Sequence, residues 1–159
     1  MQPNRLFKLL LASIFILTLS ACNQLGVKEE TDTGSDASDT DLIELSSRAE
    51  QAYLNDDLVS SEKDYETLIT RIPEEPLHWF RLANIYVRTN RPQQAIDLYR
   101  EAVIRDPSYS KAWYNLSIVQ LKQTAYSLGE MLTYTDKDDP LHKKAQSMLE
   151  GIEAIVTVD

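Results

Sequence analysis

Side chains able to do chemistry are scarce in this 159-residue chain. There are two histidines, His78 and His142, each within two residues of a predicted helix start. The single thiol, Cys22, cannot form an internal disulfide, and neither CxxC nor Cys/His metal spacing occurs. No Ser/His/Asp order, HExxH helix, glycine-rich phosphate loop or metal-spaced carboxylate set is present. Asp136, Asp138 and Asp139 crowd together in DKDDP, but the glycine and later glutamate of a calcium loop are missing. That stretch reads as a solvated turn and a helix N-cap. The expectation is a protein without catalysis, metal or cofactor, whose function lies in recognition.

Cys22 has a different explanation, given by what precedes it. Arg5 and Lys8 form a positive start, LLLASIFILTL (9–19) is an 11-residue apolar run, and Ser20 and Ala21 are small. Eleven helical residues rise only about 16 Å, too short for a bilayer core of about 30 Å. Residues 1–21 therefore read as a processed signal segment. Leu19-Ser20-Ala21-Cys22 resembles the lipobox of bacterial lipoproteins. The resemblance implies that Cys22 becomes the first mature residue and carries the fatty acyl chains that anchor the protein. Two or three such chains bind a membrane stably, where one would not. Asn23 stands where an aspartate would mark inner-membrane retention, so the resemblance implies the periplasmic face of the outer membrane.

Loss of residues 1–21 removes two cations and no carboxylate, taking the formal charge from −9 to −11. Such a surface excludes nucleic acid, which needs a Lys/Arg face, and leaves attachment to the lipid. Residues 22–41 hold six acidic residues, one lysine and no aromatic. They read as a flexible tether, about 25 Å end to end as a coil and about 65 Å at full stretch.

The elements that would position a recognition surface begin at Leu42. From there the sequence repeats with a period of 34: Leu45, Trp79 and Trp113; Ala49, Ala83 and Ser117; Tyr65 and Tyr99; Pro73 and Pro107. A fixed period of this length marks a helical solenoid. In the middle unit, Trp79, Leu82, Ala83 and Tyr86 precede Ala95, Tyr99, Ala102 and Pro107. This pattern resembles tetratricopeptide (TPR) repeats. Small Ala83 and Ala95 let two helices approach, Trp79 and Tyr99 are expected to fill the space between hairpins, and Pro107 stops the second helix.

The first unit departs from the pattern at Arg48 and Ser61. In the third, an apolar stripe from Tyr114 through Ile118, Leu121, Ala125, Leu128 and Leu132 meets no proline before Pro140. One long helix over 110–134 is predicted, then a capping helix over 140–156 begun by Asp139-Pro140. The fold expected over 42–159 is thus all-α, a TPR-like solenoid of about three hairpins.

The resemblance further implies a concave face made by the first helix of each repeat. It would present Leu77, Phe80, Arg81, Asn84, Val87 and Arg88 from the middle repeat. From the third it would present Lys111, Tyr114, Asn115, Ile118, Leu121 and Lys122; from the first, Ile43, Ser46, Ser47, Glu50, Tyr53 and Leu54. Apolar area with a few amides and cations suits a protein or peptide partner. Asn84 and Asn115 match part of the family's carboxylate clamp, but Phe80 replaces its first lysine. The other reading, that Phe80, Val87, Tyr114, Ile118 and Leu121 are covered core, stays open at this point. Lipid-anchored TPR proteins of similar plan assist assembly of type IV or Tad pili and secretins, or organise cell-wall enzymes; a homo-oligomer paired through its apolar stripe is the remaining alternative.

Overall fold

The computed structural model describes residues 33–156, and within them every regular element is a helix. The signal segment, Cys22 and the first part of the tether lie outside the described residues. Two units are distinguished, 1–36 and 37–159; the solenoid belongs to the second.

Among the described residues six helices follow one another: α1 (Thr33–Leu54), α2 (Leu58–Arg71), α3 (Pro76–Arg88), α4 (Pro92–Arg105), α5 (Ser110–Tyr134) and α6 (Pro140–Val156). Successive helices α2 to α6 pack on one another in chain order, α2 on α3, α3 on α4, α4 on α5, α5 on α6. This is the expected all-helical TPR-like solenoid. α1 starts at Thr33 rather than at Leu42, so the part of the presumed tether from residue 33 to 41 is helical. Asp41, within this helix, is held by Arg71 at 2.6 Å.

The helix ends follow local chemistry. Asp57 caps α2 by accepting from the Ser60 amide at 3.1 Å, and Glu75 caps α3 through the Leu77 amide at 3.2 Å. Pro76, Pro92 and Pro140 each occupy the first helical position, where no N–H is needed. Between α1 and α2 the chain turns at Asp56 (φ 64°), and between α3 and α4 at Asn90 (φ 58°). These left-handed positions are 34 residues apart, and Asp and Asn are among the few non-glycine residues that tolerate them. The next equivalents are Thr124 and, in place of Pro92, Tyr126. A β-branched threonine resists the left-handed turn and tyrosine does not break a helix, so α5 runs on for 25 residues. The Asp139 carboxylate accepts from the Leu141 amide at 2.8 Å, which starts α6.

Two apolar clusters make the core. One joins Leu45 and Ala49 of α1, Tyr65 and Leu68 of α2, and Leu82 and Ile85 of α3. The other joins Phe80 and Ala83 to Ala95, Ile96, Tyr99, Ala102 and Val103 of α4 and to Ala112, Leu116 and Val119 of α5. Ala49, Ala83, Ala95, Ala102 and Ala112 are fully buried, the small residues that let helices close up. The large side chains between hairpins are Tyr65 and Tyr99, at 2% and 1% exposure. Trp79 is only half-buried and Trp113 is 48% exposed, which corrects the space-filling role expected for Trp79. The indole N–H demands an acceptor and finds it at the hairpin edge: Trp79 Nε1 donates to the Pro73 carbonyl at 2.9 Å, and Trp113 Nε1 to the Pro107 carbonyl at 3.0 Å. The two tryptophans thus occupy equivalent places in adjacent hairpins. Only Trp79 is covered, by the Arg105 guanidinium 4.0 Å above its ring.

The irregular first repeat is completed by polar contacts. Arg48 donates twice to buried Asp64 (2.7 and 2.8 Å), and buried Ser61 donates to the Ala49 carbonyl at 3.0 Å. Beyond Val119 the core thins. Only Ala145 and Ile152 of α6 are buried, and the stripe of Leu121, Ala125, Leu128 and Leu132 is half-buried.

Candidate functional site

The first helices of the three hairpins carry a polar ladder that repeats with the sequence. Tyr65 Oη donates to Glu50 Oε2 at 2.7 Å, and Arg81 Nη2 donates to Glu50 Oε1 at 2.5 Å. Thirty-four residues on, Tyr99 Oη donates to Asn84 Oδ1 at 2.5 Å and Asn115 Nδ2 donates to the same oxygen at 3.0 Å. In each rung, one first-helix residue accepts from the tyrosine of its own hairpin and from a side chain of the next hairpin. The ladder therefore fixes the stagger between consecutive hairpins. Ile118 follows in the series and carries no acceptor, so the ladder stops there.

Burial is the first cause that pushes the Tyr99 phenol up to about 12, and it also raises the Tyr65 phenol, helped by the hydrogen bond to Glu50. Tyr53 lies beneath two guanidinium groups, Arg81 at 4.6 Å and Arg88 at 5.4 Å from its centroid. Stacked cations over an aromatic face are favourable, and they fix where Arg88 sits; it also pairs with Asp56.

Along the ladder runs an open cleft of about 330 Å³, with Asn84, Tyr99 and Asn115 on its floor and Tyr53, Tyr114 and Lys122 on its walls. Val87, Arg88, Ile118 and Val119 complete it. Of the residues expected on the concave face, Asn84, Val87, Arg88, Tyr114, Asn115, Ile118 and Lys122 are thus brought together. The other five from the middle and third repeats are placed elsewhere, Leu121 being half-buried and not part of the cleft lining. Phe80 is 7% exposed and packs against Tyr99 and Tyr109 with ring centroids 5.9 and 5.0 Å away, so it is core. Arg81 is spent on Glu50 and Tyr53. Leu77 and Lys111 are exposed on the first turns of α3 and α5, outside the cleft. From the first repeat Tyr53 reaches the cleft, whereas Ile43 and Leu54 are exposed beyond it.

Asn84 and Asn115 bond to each other, so they offer a partner less than two free amides would. Asn84 Nδ2 and Asn115 Oδ1 lie outside the ladder bonds, one donor and one acceptor on the cleft floor. Sequence reasoning passed over Tyr99 and Val119 as cleft residues because each also belongs to the core cluster.

Elsewhere, His78 is 5% exposed with Nδ1 unpartnered, near the Tyr65 ring at 6.0 Å, and burial lowers its pKa. His142 Nδ1 lies 2.9 Å from Thr135 Oγ1. Among the described residues no group of three or more His, Cys, Asp or Glu could hold a metal, and no helix is long and apolar enough to cross a membrane.

Comparison with known proteins places a family on this geometry. Residues 76–119 match the family described as tetratricopeptide repeat. The chain contains a TPR repeat. The matched stretch covers α3, α4 and the start of α5, the segment that holds the second rung of the ladder. Curated relatives are the peroxisomal targeting signal receptors of Kluyveromyces lactis, 30% identical over 74 residues, and of Saccharomyces cerevisiae, 32% identical over 66 residues. These matches take in 46% and 42% of this chain but only 13% and 11% of the relatives' length. TPR repeats imply protein–protein interaction.

Proposed function

We propose that this protein is a membrane-anchored interaction scaffold of the bacterial envelope, with no chemistry of its own. Acyl chains on Cys22 hold it to the periplasmic face of the outer membrane, and the cleft over the Asn84–Tyr99–Asn115 rung takes a peptide segment of a protein partner. The observation that carries the reading is the cleft itself: it is open, lined by tyrosines and aliphatic side chains, and floored by a fixed amide donor and acceptor. Such a floor is preorganised, so little ordering cost falls on binding. The matched relatives' description as targeting-signal receptors supports a peptide-type ligand. The pathway proposed is assembly of an envelope machine such as a type IV or Tad pilus or a secretin, on the resemblance in plan to lipid-anchored TPR proteins.

Two experiments separate the anchor from the groove. Cys22→Ser should move the protein from the membrane fraction to the soluble fraction; continued sedimentation with membranes refutes the anchor. Ile118→Glu, which buries a charge in the cleft wall, should abolish co-purification of secretin or pilus components without changing the helical circular dichroism. Co-purification at the native level refutes the groove. A homo-oligomer is favoured by one observation: Leu141, Met148 and Ile155 are exposed at seven-residue spacing on α6, the last described helix. Light scattering on the purified protein at micromolar concentration tests it, and a strict monomer removes it.

A further inference from the structure

The groove does not end where a regular repeat would end it. Because α5 continues past Thr124, its second half stands as a wall beyond the α3–α4 turn. Between that wall and the turn lies a second cleft of about 770 Å³, formed by Val87, Pro92, Val119, Lys122, Gln123 and Tyr126. It shares Val87, Val119 and Lys122 with the first cleft, so the two clefts adjoin along those side chains and together form the channel considered below. Its volume lies within the range of about 300–1,000 Å³ usual for ligand sites. Val87, Pro92, Val119 and Tyr126 make its apolar part, with Tyr126 71% exposed, and Asn90, Gln123 and Ser127 its uncharged polar part. An exposed tyrosine at the mouth of an apolar cleft is the kind of side chain that dominates interface energies.

The charges of the channel run against those of the whole protein. The chain carries 25 acidic residues against 16 basic ones, yet no Asp or Glu lines either cleft. Lys122 sits at the junction of the two and is exposed. Among the described residues the ion pairs all use arginine, and Lys122 is in none of them. Within this acidic protein, an acid-free channel that holds an exposed lysine is a place where an acidic partner segment meets no like charge. Discrimination of this kind comes from charge placement.

Resting on the groove reading above, we infer that the extension of α5 builds a second subsite, and that the partner segment is an acidic peptide with a large apolar side chain. The apolar side chain seats between Val87, Pro92, Val119 and Tyr126, and a neighbouring carboxylate pairs with Lys122. The remainder of the segment follows the channel onto the amide floor.

Fluorescence polarisation on the full chain in detergent micelles tests this, with labelled synthetic peptides as probes. One peptide alternates Asp and Glu around a central Phe; a second has lysine at each acidic position; a third has Ser for Phe. The acidic Phe peptide should bind about tenfold or more tighter than either counterpart, the expected scale of charge and apolar discrimination. Lys122→Glu and Tyr126→Ala should each weaken it about tenfold, Tyr126→Phe should not, and Lys111→Glu, outside the channel, should leave it unchanged. Lys122 and Tyr126 are exposed, so these variants keep the fold, which circular dichroism checks. Equal binding of the three peptides, no binding of the acidic one, or native binding by Lys122→Glu and Tyr126→Ala overturns the inference. Loss of binding in Ile118→Glu alone, with Tyr126→Ala at the native level, removes the second subsite and leaves the groove standing. Self-association abolished by Tyr126→Ala makes a second copy the occupant and also overturns it.

Discussion

The polar ladder can be weighed by a double-mutant cycle on Tyr99 and Asn115. Tyr99 Oη donates to Asn84 Oδ1 at 2.5 Å and accepts from Asn115 Nδ2 at 3.3 Å, while Asn115 Nδ2 also reaches Asn84 Oδ1 at 3.0 Å. Tyr99→Phe keeps the buried ring and removes two of these bonds. Neutral hydrogen bonds contribute about 0.5–1.5 kcal/mol net, and the long one falls at the bottom of that range, so the loss should be about 1–2 kcal/mol. Asn115→Ala removes the 3.0 and 3.3 Å bonds and should cost about 1–1.5 kcal/mol. The Tyr99–Asn115 contact is counted in both single variants but lost only once in the double. The double variant should therefore be more stable than simple addition allows, by about 0.5–1 kcal/mol. Urea titration followed by helical circular dichroism measures all four proteins, and an unchanged m-value confirms that only stability moved. Additivity within about 0.3 kcal/mol, or a Tyr99→Phe loss below that size, would refute the ladder.

The other predictions are brief. Trp79→Ala should cost about 2–3 kcal/mol, less than the 3–5 of a fully buried ring, because Trp79 is half-buried; Trp113→Ala should cost clearly less, and equal losses in thermal melts would contradict the edge placement. His78 is held below its ordinary pKa by burial, so the unfolded chain takes up the proton first. Stability should be full above about pH 6.5 and fall as pH drops below it, and His78→Phe should flatten that decline. Tyr99 is raised to about 12 by burial. Its contribution is therefore complete below about pH 10 and lost as pH rises from there toward 12, and Tyr99→Phe should remove that part of the alkaline loss.

Much of the fold was legible because its signals are local. Asp139-Pro140 announces the start of α6, the absence of proline before Pro140 announces the long α5, and the 34-residue spacing sets the hairpins in register. The pairing of Glu50 with Arg81 and of Asn84 with Asn115 was not legible. These pairs are 31 residues apart, an offset set by the stagger of neighbouring hairpins and not by the period of the sequence. Composition misplaced the start of α1, which lies at Thr33 and not at Leu42, because a polar, acidic stretch does not by itself forbid a helix. Size misjudged Trp79, whose indole N–H draws it to a carbonyl at the hairpin edge. The second cleft was hidden because it depends on what Thr124 and Tyr126 fail to do, which is turn the chain.

Site-specific photocrosslinking in living cells tests the recognition role most directly. A photoreactive benzoylphenylalanine at position 118, on the cleft wall, should yield a discrete covalent adduct with another protein, and the same group at position 104, exposed on α4 outside the cleft, should yield none. Adducts at neither position, or equal adducts at both, would contradict recognition through this cleft.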